Sequence, residues 1–194
     1  MAKSNIITTG LIRLNHTQLL DPLVSIYDDS KTYSTEILIN KRDAKTLGLI
    51  NTAMDEIIKS ESETGGKFTG ITPDEVTKLK TEFLKDGDAR EDKIDAYKGT
   101  FYMKAKTKTG RPAIQAKDSN EPITSPMRVY DGVGARVVFE LGSYLMKDSD
   151  THKLRKGFYA KLIGVQIVRD MDTISNKIDI NNIIDNDEEV EDLW

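Results

Sequence analysis

The spacing of apolar side chains changes period twice along the chain. Residues 5–15 (NIITTGLIRLN) are dense in β-branched and apolar side chains and read as a strand. Residues 16–29 contain Asp21-Pro22 and Asp28-Asp29, which predicts a loop with at most a helical turn. Residues 32–39 alternate, the period of a strand: Tyr33, Thr35, Ile37 and Ile39 fall on one side, Ser34, Glu36 and Leu38 on the other. From residue 43 the period lengthens. Leu47, Ile50, Met54, Ile57 and Ile58 recur at helical steps, so residues 43–60 form an amphipathic helix that Gly65-Gly66 ends. A second helix begins at Thr72. This threonine is a good N-cap, Pro73 suits the first helical position, and Glu75 completes a capping box. Val76, Leu79, Phe83 and Leu84 form its apolar stripe, and Asp86-Gly87-Asp88 stops it.

From residue 98 the period is two again. Residues 98–108 predict a strand, Thr109-Gly110 a turn and residues 111–117 a return strand, together a β-hairpin. Residues 118–126, with Pro122 and Pro126, predict a loop. Residues 128–130 and 136–145 are strand-like, with a bend or bulge at Asp131-Gly132-Val133-Gly134. Residues 147–156 form a polar loop and residues 157–169 a last long strand. No solenoid repeat is present. Strands dominate without βαβ alternation, which argues against a parallel nucleotide-binding sheet. The expected fold is mainly β: a small antiparallel OB-fold-like barrel, with a two-helix insertion over about residues 42–95 between strands 2 and 3. Residues 1–170 make that domain. Residues 171–194 lose the core pattern and are expected to be an acidic, disordered tail.

Composition narrows the chemistry. Of 194 residues, 38% are hydrophobic and 31% charged, enough to bury a core without staples. The absence of cysteine removes disulfides, zinc-thiolate centres and thiol nucleophiles, and two histidines, His16 and His152, are too few for a multi-histidine metal site. No stretch approaches the roughly 18 apolar residues that a membrane helix needs. The first ten residues turn polar at Thr8-Thr9-Gly10, unlike a signal peptide, so the expected address is cytoplasmic. Charge is unevenly distributed. Residues 1–97 carry 13 basic and 17 acidic side chains, residues 98–169 carry 14 and 6, and residues 170–194 carry 1 and 9. A basic segment followed by an acidic terminus points to nucleic acid.

The basic segment contains Phe101-Tyr102-Met103-Lys104-Ala105-Lys106-Thr107-Lys108. On a strand, Phe101, Met103 and Ala105 take one face and Tyr102, Lys104, Lys106 and Lys108 the other, at a same-face spacing of roughly 6.5 Å. A ring beside a row of ammonium groups suits unpaired nucleic acid, whose bases stack on rings and whose phosphates seek cations. Further candidates come from neighbouring strands. Arg111 opens the return strand; Arg128 and Tyr130 share a parity; Arg136 shares one with Tyr144; Tyr159 shares one with Lys161. Phe68, Phe83, Phe101 and Phe139 are expected in or near the core.

The tail carries Asp185, Asp187, Glu188, Glu189, Glu191 and Asp192 and ends in Leu193-Trp194. An acidic tether with an apolar tip suits docking to a basic-rimmed partner, or competition with DNA for the chain's own cationic groove. The chain resembles phage single-stranded DNA-binding proteins of the OB-fold type. The resemblance rests on Thr9-Gly10-Leu11-Ile12-Arg13-Leu14 and on Tyr33-Ser34-Thr35-Glu36-Ile37-Leu38-Ile39-Asn40-Lys41. Further matches are Arg111-Pro112, Tyr130-Asp131-Gly132, Gly157-Phe158-Tyr159-Ala160 and Val165-Gln166-Ile167-Val168-Arg169-Asp170. The resemblance implies binding to displaced strands during replication or recombination, with tail residues 185–194 contacting replication proteins. The best-known relatives end in Phe where this chain ends in Trp194. No membrane partner and no cofactor is implied, and a homodimer is compatible with the reading. No catalytic or metal constellation emerges: Asp170 and Asp172, or Asp86-Gly87-Asp88, sit where acids commonly end elements, and no phosphate loop or serine elbow is present. The competing class is a protein-interaction or virion-assembly module whose basic sheet meets an acidic partner without DNA.

Overall fold

In the computed structural model, residues 5–174 are described, apart from 93, 120 and 148–152. The strands are β1 (Ile6–Thr8), β2 (Ile12–Val24), β3 (Lys31–Asn40), β4 (Lys85–Asp86), β5 (Thr100–Thr107), β6 (Ala113–Ala116), β7 (Gly134–Lys147) and β8 (Leu154–Arg169). Helices α1 (Ala44–Glu61) and α2 (Pro73–Phe83) lie between β3 and β5, where the sequence predicts an insertion. The capping box forms as read. Thr72 Oγ1 accepts from Glu75 N at 3.3 Å, and Glu75 Oε2 accepts from Thr72 N at 3.0 Å. Among the described residues no helix is long and apolar enough to cross a membrane.

The strands join in one sheet, in the order β1-β7-β2-β3-β5-β8-β6, and β7 also pairs with β8. The pairings therefore run in a circuit, β2 to β3 to β5 to β8 to β7 and back to β2. The sheet is mixed rather than antiparallel throughout, because β8 runs parallel to both β5 and β6. Inside the circuit lie Leu14, Ile37, Met103, Ala105, Val137, Phe139 and Leu162, all buried. Phe68 and Phe139 are buried, and Phe83 and Phe101 pack against the core, as expected from sequence. Alternation along β5 is as predicted: Met103 and Ala105 face in while Lys104 and Lys106 are exposed.

Several boundaries differ from the sequence reading, each for a local reason. The N-terminal strand breaks at residues 9–11, where the Gly10 N–H donates to Thr46 Oγ1 at 2.8 Å and anchors the start of α1. A Cβ at Gly10 would lie 2.7 Å from Asp43 Oδ2, so a side chain there would displace the carboxylate that caps α1. The expected loop at 16–29 is mostly strand. β2 continues to Val24 through two register shifts, which absorb His16 (φ 48°) and Pro22 as bulges. The expected hairpin after Lys108 does not form. β5 and β6 both lie along β8, pairing Lys106 with Lys161 and then Ala113 with Gly164, so the chain keeps its direction while residues 108–112 loop out. Thr109-Gly110 is thus a detour and not a reversal. The strand expected at 128–130 does not form: Arg128 ends a 3-10 turn that Pro126 begins, and residues 129–130 belong to no strand. β8 starts three residues earlier than expected, at Leu154, and continues a long ribbon with β7.

Phe139 sits on β7 between β1 and β8, with no exposed surface. Phe139→Ala is expected to cost about 3–5 kcal/mol, read as a lower denaturation midpoint at unchanged slope. A cost below about 1 kcal/mol would place the core elsewhere.

Candidate nucleic-acid interface

The outward faces of β5, β8 and β7 adjoin. Register places Lys106 beside Lys161 and Lys161 beside Glu140; one step back, Tyr159 faces Gly142, and Gly157 faces Tyr144. These two tyrosine–glycine pairs shape the surface. A Cβ on Gly142 would lie 2.4 Å from Tyr159 Cζ, and a Cβ on Gly157 would lie 2.7 Å from the Tyr144 hydroxyl. Each ring therefore lies across the sheet over the glycine of the opposite strand. A side chain there would push it outward. The result is two aromatic surfaces seated on the sheet, partly exposed and diagonal to one another.

Beside them runs a cleft of about 720 Å³. Its floor is Glu36 of β3, Tyr102, Lys104 and Lys106 of β5, and the Gly157–Ala160 stretch of β8; Tyr144 and Met146 of β7 close one side. The other side is α2, through Leu79, Glu82 and Phe83, with Lys85 just after it. Packing sets α2 there. Phe158 meets Phe83 and Phe68 edge-on, at centroid distances of 5.8 and 5.7 Å. Lys156 Nζ pairs with Glu75 Oε1 at 3.1 Å, and the Thr72 N–H together with that ammonium holds the Glu75 carboxyl below its ordinary pKa. The loop after α1 is tied to β7 as well: Lys67 Nζ donates to the Ser143 carbonyl at 2.9 Å and Ser143 Oγ donates to Glu61 at 2.7 Å.

Tyr102 differs from the other two tyrosines. Its ring meets the buried Tyr97 edge-on at 5.0 Å, the Arg90 guanidinium stands 5.0 Å from its centroid, and Lys85 Nζ stands 5.9 Å from it. It is a half-buried support for cations, not the free platform read from strand parity. Tyr97 donates to Glu36 Oε2 and accepts from Asn15 Nδ2 at 2.6 Å. Burial first, and the neighbouring carboxylate second, push its phenol above the ordinary range.

Of the eleven predicted groove residues, Tyr102, Lys104, Lys106, Tyr144 and Tyr159 meet at the cleft, and Lys161 adjoins Lys106. The others do not converge there. Lys108 lies past the end of β5, with Nζ 3.5 Å from Ser30 Oγ at the β2–β3 turn. Arg111 belongs to no hairpin and donates to the Ile123 carbonyl at 3.2 Å. Arg128 closes the 3-10 turn, and Tyr130 accepts from Met171 N at 3.1 Å and donates to its carbonyl at 3.0 Å. Arg136 faces outward but sits farther along β7, opposite Gln166. The tail residues Asp185 to Trp194, and His152, lie outside the described residues. Sequence reasoning missed Lys85, Phe83 and Glu36. Only the apolar stripe of α2 hinted at a wall, and nothing local links it to β5. The signal it overlooked is Gly142 and Gly157, each isolated in a strand pattern, where glycine marks a close approach.

The tyrosine–glycine arrangement is directly measurable. One Hα of Gly142 and one of Gly157 should be shifted upfield by the overlying rings in an NMR spectrum. Tyr159→Leu should return only Gly142 to its ordinary position. An unshifted Gly142 in the parent chain would contradict the geometry.

No curated protein matches this chain in sequence. Among solved structures, the single-stranded DNA-binding protein from bacteriophage Enc34 in complex with ssDNA shares the fold, with a TM-score of 0.67 at 20% identity over 89% of this chain and 91% of that one. A C-terminal truncation of the Enc34 protein gives 0.64 at 21% identity over 88% and 90%. Bacteriophage T7 gp2.5, a single-stranded DNA-binding protein, gives 0.56 at 16% identity over 92% and 98%. The family model described as Enterobacter phage Enc34, ssDNA-binding protein, matches residues 5–194, and the chain belongs to that family.

Proposed function

We propose that this chain binds single-stranded DNA without a sequence motif and protects it during phage replication or recombination, in the cytoplasm of the infected host. The observation that carries the reading is the cleft, where cations and partly exposed rings share one outward face. Lys104 and Lys106 neutralise phosphates, with Lys85 and Lys161 extending the cationic track on either side. Tyr144 and Tyr159 offer ring faces for stacking, worth about 1–3 kcal/mol per base. Tyr102 positions Arg90 and Lys85. The pairing circuit, with one parallel closure between β5 and β8, supports reading the sheet as an OB-type barrel that carries its ligand on the faces of β3 and β5. Membership in the Enc34 family supports the same ligand. The chemistry needs no catalytic residue and no cofactor.

The tail beyond residue 170 is assigned two roles: recruiting replication proteins through its acidic residues and Leu193-Trp194, and competing with DNA for the cleft. Charge supports the second role, since residues 98–169 carry a net charge of +8 and residues 170–194 one of −8. The described chain leads away from β8 along a fixed path. Arg13 donates to the Asp172 carbonyl at 2.5 Å and Ile174 N donates to the Asp131 carbonyl at 2.8 Å. A homodimer is compatible with this arrangement.

Fluorescence anisotropy with an oligo-dT should show binding that weakens steeply with salt. Lys104→Ala with Lys106→Ala should reduce affinity about tenfold or more while leaving the melting temperature within a few degrees. No binding at moderate salt would favour the protein-interaction or virion-assembly reading. Truncation after Lys177 should tighten binding to the same oligonucleotide, and an unchanged affinity would remove the competitive role of the tail.

A further inference from the structure

A track for phosphates has no use for a carboxylate, yet Glu36 lines the cleft floor. Register sets it directly opposite Lys104 on β5. The two make no ion pair: among the described residues the Glu36 carboxylate accepts one hydrogen bond, from Tyr97 to Oε2. That bond is the end of a fixed chain. Asn15 Nδ2 donates to Tyr97 Oη at 2.6 Å, Tyr97 donates onward to Glu36, and Asn15 and Tyr97 are both buried. The carboxylate is therefore oriented by the core, while Oε1 accepts no bond from a described residue. A cross-strand ion pair would have spent Glu36 on Lys104; instead the lysine is left for a phosphate and the carboxylate for a donor.

Unpaired DNA carries its hydrogen-bond donors on the bases. A carboxylate accepts from the exocyclic amino group of cytosine, whereas uracil and thymine present a carbonyl oxygen at the same ring position and are repelled. Lys104 and Lys106 fix the backbone, and Tyr159 and Tyr144 fix the plane of the base.

We propose that Glu36 is a specificity-determining residue of the cleft, giving the chain a compositional preference for bases carrying an amino group over those carrying a carbonyl at that edge. The inference rests on the proposed single-stranded DNA binding and adds a base bias to an otherwise motif-free site.

The test is competition against a labelled oligo-dT bound to the full-length chain. Unlabelled deoxycytidine and deoxyuridine oligomers of equal length compete at one salt concentration and mildly alkaline pH. The two differ at the amino-versus-carbonyl position and at the adjoining ring nitrogen. The deoxycytidine oligomer should compete about fivefold or more better. Glu36→Gln keeps an acceptor for Tyr97 and supplies an amide donor toward the carbonyl, so the ratio should fall to within about twofold at an unchanged melting temperature. Equal competition in the parent chain, or a bias that persists in Glu36→Gln, overturns the inference while single-stranded DNA binding stands. Failure of the labelled oligomer to bind the parent chain at all would remove the binding reading itself, and this inference with it.

Discussion

The pairing of β8 on both of its edges is the constraint from which the rest follows. One edge carries the long antiparallel ladder to β7; the other carries β5 and then β6, both parallel. Because side chains alternate, this single placement decides which residues face in and which face out on three strands at once. Ala160 and Leu162 go to the core, and Tyr159 and Lys161 go outside beside Lys104 and Lys106. A one-residue slip of β8 would bury Lys161 and expose Leu162. The core therefore specifies the outer face as firmly as it specifies itself.

On that face, two physical devices make a usable surface. Glycines 142 and 157 remove the side chains that would lift the tyrosine rings, so the rings lie against the sheet. The helical insertion then supplies a wall. Phe158, shared by Phe68 and Phe83, holds α2 against β8, and the Glu75–Lys156 pair fixes its first turn. Without α2 the lysines of β5 would stand on an open sheet; with it they line a cleft.

Much of the fold was legible in the chain, because its strongest signals are local. The capping box at Thr72–Glu75 and the two helical stripes set the start of both helices within a residue or two. The alternation from Tyr102 to Lys106 set the faces of β5. What stayed hidden was decided between distant segments. Thr109-Gly110 has the composition of a hairpin turn, but β8 occupies the edge that a return strand would need, so the chain bulges and continues. Asp21-Pro22 has the composition of a loop, yet bulged pairing with β3 carries β2 past it. At the site, parity found Lys104, Lys106, Tyr144 and Tyr159, which share an outward face. It could not find that Arg90 and Tyr97 would occupy the ring of Tyr102, or that Tyr130 would anchor residue 171.

The account stands on one face of one sheet acting as the ligand surface. Amide chemical-shift mapping on addition of a short single-stranded oligonucleotide addresses it most directly. The account predicts perturbations concentrated on β5, β8 and β7, at Lys104, Lys106, Gly142, Tyr144, Gly157 and Tyr159, with α1 and β1 unaffected. Perturbations centred on α1 and β1, with those six residues silent, would contradict it.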